Sequence, residues 1–143
     1  MSAREVLAIW VMVALVSACS TPPQLVVSGR ETCTYDGPSA LDAGVYEFVV
    51  LGDTQMDLYS LSTGVRYEDI VEHYESGDGR RHAPGATMVF DLVNVPGLNY
   101  DRSTRNATSG SYELRAGEYA VVCQWRAGEF GGRRAVSGLT VSD

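Results

Sequence analysis

The sequence predicts an all-β domain, a two-sheet Greek-key sandwich that carries one short surface helix. Apolar and polar residues alternate over most of the chain, and glycine, proline, asparagine and aspartate interrupt the alternation at the short intervals that separate strands. The 143 residues and the hydrophobic content of 45% suffice for one packed domain, and an aromatic content of 9% without low-complexity repeats excludes a disordered chain. We therefore expect a single β-rich body.

Eight segments have the composition expected of strands, and we predict one strand in each: residues 25–27, 31–35, 45–51, 56–61, 87–93, 110–114, 119–125 and 135–141. The segment 119–125 is apolar on both faces, with Val121 and Cys123 on one face and Ala120 and Val122 on the other. A strand buried on both faces lies inside a sheet, so we expect this one to be central and Cys123 to point between the two sheets.

One helix interrupts the strands. Tyr67, Ile70, Val71 and Tyr74 have the spacing that places apolar side chains in one stripe along a helix. The acidic residues between them would face water: Glu68, Asp69 and Glu72. Those in the first turn also complement the positive end of the helix dipole. The stripe predicts a short helix packed on the sandwich.

The first residues have the features of a secretion signal. Residues 6–16 form an unbroken apolar run that follows Arg4 and precedes the small residues Ser17 and Ala18. A helix of that length rises only about 16 Å, whereas the hydrocarbon core of a bilayer is about 30 Å thick. We therefore predict a signal peptide over residues 1–18, not a membrane span.

Residues 15–19, with the sequence LVSAC, resemble the lipobox of bacterial lipoproteins. The resemblance implies that Cys19 is acylated with palmitate and becomes the new N-terminus, followed by a tether over residues 19–24 and the domain over residues 25–143. It also implies a location on the extracytoplasmic face of a bacterial membrane, either the cell membrane or the outer membrane. The alternatives are an ordinary secreted protein and an uncleaved N-terminal anchor.

Two cysteines remain once Cys19 is acylated. Cys33 and Cys123 would then lie in an oxidising compartment, where an even pair predicts one disulfide. A metal-binding or redox-active thiol is the alternative, although neither cysteine belongs to a C-x-x-C pair.

Charge and motifs exclude several functions. The net charge of −7 opposes binding to phosphate backbones, so we predict no nucleic-acid partner. No G-x-S-x-G, H-E-x-x-H, P-loop or Rossmann pattern occurs, and His73 and His82 do not define a catalytic base, so we predict neither an enzyme nor a cofactor. Neighbouring acids such as Asp53 and Asp57 are interpreted as solvated.

The basic residues form two local pairs on this acidic chain. Arg80 and Arg81 lie in a turn-rich segment over residues 77–85, and Arg133 and Arg134 precede the last predicted strand. These four arginines are candidate contacts for an anionic partner or headgroup, and solvated loop residues are the alternative. A second turn-rich segment over residues 94–108 is also predicted as a long loop.

Three motifs resemble, in order and spacing, those of the cupredoxin-like fold. They are DAGVYEF at residues 42–48, GVRYEDI at residues 64–70 and LRAGEYAVVC at residues 114–123. In that family the last motif carries the copper cysteine, which corresponds to Cys123 here. No histidine or methionine follows Cys123 before the final strand, and the sequence QMD at residues 55–57 stands where the first histidine is expected. The resemblance therefore implies a cupredoxin-like domain that has lost its metal.

An immunoglobulin-like sandwich is the rival fold. Residues 116–119 resemble the turn before a tyrosine corner, and two cysteines could bridge the sheets. In such domains the tyrosine lies two residues before the cysteine, whereas Tyr119 lies four residues before Cys123.

Two functions follow from these observations. The first is a membrane-tethered, non-catalytic binding or interaction module of the cell envelope, such as an accessory subunit of a membrane complex, with an envelope protein or a ligand as its partner. The second is a copper carrier or electron-transfer domain in which Cys33, Cys123, Met56 or His82 form an unconventional site.

Overall fold

The computed structural model describes residues 21–29, 33–52, 54–76, 82–94, 107–125 and 132–143. The elements in chain order are β1 (Gln24–Gly29), β2 (Cys33–Asp36), β3 (Ala40–Asp42), β4 (Gly44–Gly52), β5 (Thr54–Leu61), α1 (Tyr67–Glu75), β6 (Ala86–Asn94), β7 (Ala107–Leu114), β8 (Gly117–Trp125) and β9 (Gly132–Ser142).

The strands form two sheets. One sheet has four strands in the order β2-β1-β4-β7, and the other has five in the order β3-β9-β8-β5-β6. The pairs β1–β4 and β3–β9 are parallel, and the remaining neighbours are antiparallel. This arrangement confirms the predicted all-β, two-sheet sandwich with one helix.

Each predicted strand overlaps an observed one, and one observed strand was not predicted. β3 has three residues, which is too short for alternation to show in a sequence. It is held by backbone hydrogen bonds at both ends, from Thr140 N to Ser39 O at 2.7 Å and from Ala43 N to Ser142 O at 2.6 Å. Of the two predicted loops, residues 77–81 and 95–106 lie outside the described residues.

The core has two layers. Leu25, Phe48, Met56 and Val121 belong to the cluster between the two sheets. A second cluster on the outer face of the five-stranded sheet lies under α1: Tyr59, Ile70, Ala83, Ala120, Val122 and Ala135. β8 lies between β9 and β5 and contributes to both clusters, which confirms that it is central.

The helix packs on β9 through its apolar stripe, as predicted. Ile70 is buried, and Tyr67, Val71 and Tyr74 pack against the same cluster. A Cβ at Gly138 would lie 2.9 Å from the Cβ of Tyr67, so only glycine lets the first turn of α1 approach β9 this closely.

The strand directions give the sandwich two distinct ends. At one end, which we call the tether end after the predicted tether, residues 21–23 lead into β1, and β9 finishes at Ser142. At the other, which we call the disulfide end because Cys33 and Cys123 are joined there, β1 finishes at Gly29 and β2 begins at Cys33. The chain also passes from β4 to β5, from β6 to β7 and from β8 to β9 at the disulfide end.

Two turns at the tether end have the same sequence pattern and the same hydrogen bond. Residues 41–46 (LDAGVY) and 114–119 (LRAGEY) share the pattern L-x-A-G-x-Y. The Tyr46 hydroxyl donates to the carbonyl oxygen of Asp42 at 2.8 Å, and the Tyr119 hydroxyl donates to that of Arg115 at 2.9 Å. Both tyrosines are largely buried, so each bond fixes a turn to the strand that follows it.

We expect Tyr46→Phe and Tyr119→Phe each to lower the free energy of unfolding by about 1–1.5 kcal/mol, because each leaves a carbonyl without its partner while the ring stays in place. Urea denaturation of the two variants measures this loss. Tyr112→Phe is the control, since the Tyr112 hydroxyl has no hydrogen bond within the described residues. Equal stabilities for all three variants would contradict the proposed role of these turns.

Candidate functional site

A disulfide joins the two sheets at one end of the sandwich. It links Cys33, on the edge strand β2 of the four-stranded sheet, to Cys123 on the central strand β8 of the other sheet. The two Cα atoms are 6.0 Å apart, and both residues are buried, at 4% and 0% exposure. This is the pairing that the cysteine count predicts, and it occupies the thiol that the cupredoxin-like resemblance identifies as the copper ligand.

Thr54 closes the space beside the sulfur atoms. Its Oγ1 lies 3.1 Å from the Sγ of Cys123 and 3.7 Å from that of Cys33, and it donates a hydrogen bond to the carbonyl oxygen of Gln124 at 2.8 Å. A Cβ at Gly29 would lie 2.7 Å from Thr54 Oγ1 and 3.3 Å from the Sγ of Cys33, so the backbone of β1 also packs closely against this group. The group beside Cys123 is therefore a hydroxyl that already donates its hydrogen bond to a backbone carbonyl.

The sequence pattern placed residues 55–57 where a first copper histidine is expected, and it did not single out Thr54. In the β5–β8 register Met56 is the Cα partner of Cys123, and both side chains are fully buried between the sheets. Thr54, two residues earlier on the same face, reaches the sulfur from the start of the strand. Because side chains alternate along a strand, residues 54 and 56 lie on the same face of β5, and this spacing could have identified Thr54 as a second residue on the face of Cys123.

The outer face of the five-stranded sheet carries a buried polar network, which we call the Asp57 cluster: Gln55, Asp57, Gln124 and Arg133. Asp57 is only 2% exposed, so the prediction that it is solvated is wrong. Its Oδ1 accepts a hydrogen bond from Gln55 Nε2 at 2.8 Å, and its Oδ2 lies 3.4 Å from a guanidinium nitrogen of Arg133. The same nitrogen donates to Gln124 Oε1 at 2.9 Å.

Arg133 offsets the repulsion between two carboxylates. Asp91 on β6 is the Cα partner of Asp57 on β5, so the two side chains point to the same face of adjacent strands. Like charges in this position are destabilising, and a buried carboxylate needs a cation or hydrogen-bond donors. Arg133 supplies both, and its guanidinium carbon lies 5.9 Å from the centre of the Tyr74 ring on α1.

The two histidines lie away from the disulfide. His82 Nδ1 is 3.1 Å from the hydroxyl of Tyr59, whose side chain points to the outer face of the sheet, whereas Cys123 and Met56 point to the inner face. His73 lies on α1, with its ring 5.0 Å from that of Tyr74. The sheet therefore separates His82 from the sulfur atoms.

Three tyrosines have raised pKa values. Burial, followed by the charge of Asp36, raises the pKa of Tyr35 to about 12. Burial is also the largest cause of the raised pKa of Tyr59, with the charge of Asp57 second, and of the raised pKa of Tyr67. The hydroxyl of Tyr35 therefore stays protonated well above pH 10, and those of Tyr59 and Tyr67 lose their protons at a higher pH than a free tyrosine does.

These shifts predict a loss of stability at high pH. An unfolded tyrosine ionises near pH 10, whereas Tyr35 stays neutral in the folded state until about pH 12, so the free energy of unfolding falls as pH rises from 10 to 12. Absorbance at 295 nm during an alkaline titration follows the ionisation. We expect part of the tyrosine signal to appear only together with the loss of the near-ultraviolet circular dichroism. Complete ionisation of a protein that stays folded would contradict this.

Apart from the bridged Cys33 and Cys123, the predicted site residues fall into three groups. Cys19, Arg80 and Arg81 lie outside the described residues. Arg133 is already engaged with Asp57 and Gln124, while its neighbour Arg134 is exposed on β9. The two arginines of this pair therefore have different surroundings, although they are adjacent in the sequence.

Two further features concern metals and membranes. Within the described ranges, no group of three or more histidine, cysteine, aspartate or glutamate side chains is arranged to hold a metal ion. No helix among these residues is long and apolar enough to cross a bilayer.

The chain matches no known protein family, and no similar protein is found among curated proteins or solved structures.

Proposed function

We propose that the chain is a lipid-anchored protein on the extracytoplasmic face of a bacterial membrane, and that it acts there as a non-catalytic binding or interaction module of the cell envelope. An accessory subunit of a membrane complex is a role of this kind. The proposed domain is a cupredoxin-like sandwich without its copper.

The disulfide is the observation that carries this proposal. Copper–thiolate chemistry requires a free thiolate, and the sulfur of Cys123 is bonded to that of Cys33. The atom that fills the space beside it is the Thr54 hydroxyl oxygen, where a soft or imidazole ligand would be needed. A domain that has replaced its metal centre by a covalent link keeps its fold and its surfaces, which suits recognition better than electron transfer.

The disulfide also supports the proposed location. Disulfides persist in oxidising compartments, and residues 1–18 resemble a signal that would deliver the chain to one. β1 begins at Gln24, so residues 19–23 are all that separates the proposed anchor from the folded domain. The net charge of −7 opposes binding to nucleic acid, so we expect no nucleic-acid partner.

We expect Cys19→Ala to abolish acylation. In bacteria fed an alkyne analogue of palmitate, the full chain should carry the label and sediment with membranes, because two or more acyl chains give stable anchoring. The Cys19→Ala variant should lose the label completely and should be released in soluble form or retained as the unprocessed precursor. A Ser17→Ala variant is the control that leaves the cysteine intact. Equal labelling of all three proteins would reject the anchor.

Copper handling is the second candidate, and the position of Met56 favours it. Met56 is the cross-strand partner of Cys123, so reduction of the disulfide would leave two thiols and a thioether in one buried region. Sulfur ligands of this type suit Cu(I). The separation of His82 from this region argues against a mixed imidazole and thiolate site.

Competition against a chromogenic Cu(I) chelator distinguishes the two functions. We expect the oxidised protein to leave the chelator complex intact. Stoichiometric removal of Cu(I) by the reduced protein, lost in Met56→Leu, would favour the copper function. The Cu(II) form gives a second readout, since an intense absorption band in the visible region would require a free Cys123 thiolate.

A further inference from the structure

The tether and the disulfide lie at opposite ends of the sandwich. β1 leaves the tether at Gln24 and reaches the disulfide end at Gly29, and β4, which has nine residues, runs parallel beside it over six of them. A strand of nine residues spans about 30 Å. The folded body is therefore about that long between the anchored end and the end that contains Cys33 and Cys123.

The proposed tether is shorter than the body that it holds. Residues 19–23 extend to at most about 18 Å. The chain enters the sandwich directly after them, where the carbonyl oxygen of Pro23 accepts a hydrogen bond from Glu47 N at 3.0 Å. A domain about 30 Å long on a tether of this length cannot turn its far end to the bilayer.

The surface around the tether is acidic. Four acidic side chains are exposed at the tether end: Asp42, Glu113, Glu118 and Asp143. Two described arginines, Arg66 and Arg115, are also exposed there, and Arg66 pairs with Asp69. Anionic headgroups repel such a surface over a Debye length of about 8 Å at physiological salt. The end of the domain should therefore stay close to the bilayer without adhering to it.

The two broad sides also oppose contact with anionic lipid. The outer face of the four-stranded sheet presents Asp36 and Glu47, and no arginine lies on the described strands of that sheet. On the other side, Glu68, Glu72 and Glu75 surround a surface groove of about 510 Å³ along α1. In the part of the chain that the structure describes, Arg133 is engaged with Asp57 and Gln124 and Arg134 is a single exposed arginine on β9, so these residues form no basic cluster that would hold a tethered domain flat on such a membrane.

We infer that the anchored domain stands on its tether end, with its strands along the membrane normal and the disulfide end farthest from the lipid. This inference rests on the proposed anchor at Cys19. The disulfide end is then about 30 Å or more from the headgroups, which excludes contact between that end and a lipid headgroup.

The absence of lysine from the sequence allows a direct test. Ser142→Lys places a single side-chain amine at the tether end of β9, and Ser109→Lys places one on β7 near the disulfide end. Both serines are exposed, and their positions differ by about five residues of strand, or roughly 16 Å along the membrane normal. Each lipidated full chain is labelled with an amine-reactive dye and reconstituted in vesicles of phosphatidylcholine and phosphatidylglycerol.

Quenching by a spin label on the lipid headgroup then reports the height of each dye. We expect the dye at position 142 to be quenched several-fold more strongly than the dye at position 109, with the unsubstituted chain giving the background from the α-amine. Equal or reversed quenching of proteins that float with the vesicles would overturn the upright orientation and leave the anchor intact. Failure of the proteins to float with the vesicles would overturn the anchor and this inference with it.

Discussion

Replacing both bridged cysteines, as Cys33→Ala and Cys123→Ala together, is expected to lower the free energy of unfolding by about 2–4 kcal/mol. The disulfide closes a loop with a sequence separation of 90, for which the chain-entropy model gives about 4–5 kcal/mol. It also holds β2, a four-residue edge strand, against the centre of the opposite sheet. For a domain of this size the loss corresponds to a decrease in Tm of about 10 °C.

Thermal unfolding with and without reductant separates the covalent effect from the effect of packing. The unsubstituted protein should lose the same stability when it is reduced, whereas the double variant should be insensitive to the reductant. A variant with Cys19→Ala alone controls for the third cysteine. If reduction leaves the Tm of the unsubstituted protein unchanged, the link contributes nothing to stability and this part of the account is wrong.

The second large effect is expected from Arg133→Ala. The change leaves the Asp57 carboxylate, which is 2% exposed, without its cation and opposite a second carboxylate on Asp91. Removing one partner of a buried ion pair costs about 3–5 kcal/mol, and we expect about 3 kcal/mol because the Arg133 side chain is 22% exposed. Chemical denaturation of the purified domain measures this difference.

Arg134→Ala is the matched control, since Arg134 is the next residue on the same strand and is exposed. A surface substitution of this type changes stability by less than about 0.5 kcal/mol. Combining Asp57→Asn with Arg133→Ala should recover part of the loss, because the buried negative charge is removed together with its cation. Equal effects of the two arginine substitutions would show that the Asp57 cluster is not a stabilising ion pair.

The sequence predicted the fold better than it predicted the surroundings of individual side chains. The apolar residues on both faces of residues 119–125 were sufficient to identify β8 as central. The spacing of Tyr67, Ile70, Val71 and Tyr74 was sufficient for the helix. The disulfide followed from the number of cysteines and the proposed compartment alone.

Asp57 shows why the remaining features escaped prediction. Its neighbours Gln55 and Tyr59 have polar groups, so the face of β5 that they share resembles a solvated one. Arg133 lies on β9, two strands away from β5 in the sheet, and α1 covers this face of β5. Together they bury the Asp57 side chain. Burial created by elements distant in the chain leaves no periodic trace in the local sequence.

Arg133 and Arg134 were interpreted as one basic pair for the same reason: the local sequence does not show which elements surround each side chain. Adjacent residues on a strand point to opposite sides, and a β-bulge between Val121 and Val122 adjusts the register of this part of the sheet. Arg133 therefore reaches Asp57 and Gln124 on the outer face of the sheet, whereas the side chain of Arg134 is exposed to solvent. The exposed Arg134 is the better candidate for contact with an anionic partner.

The central claim is that Cys33 and Cys123 are joined in the native protein, which leaves no thiolate for a copper ion. The most direct test traps free thiols with an alkylating agent under denaturing conditions, in protein taken straight from the envelope, and then maps the peptides by mass spectrometry. We predict a single cross-linked species that contains Cys33 and Cys123, without alkylation at either residue. Two alkylated cysteines in separate peptides would contradict the account and would favour the copper function.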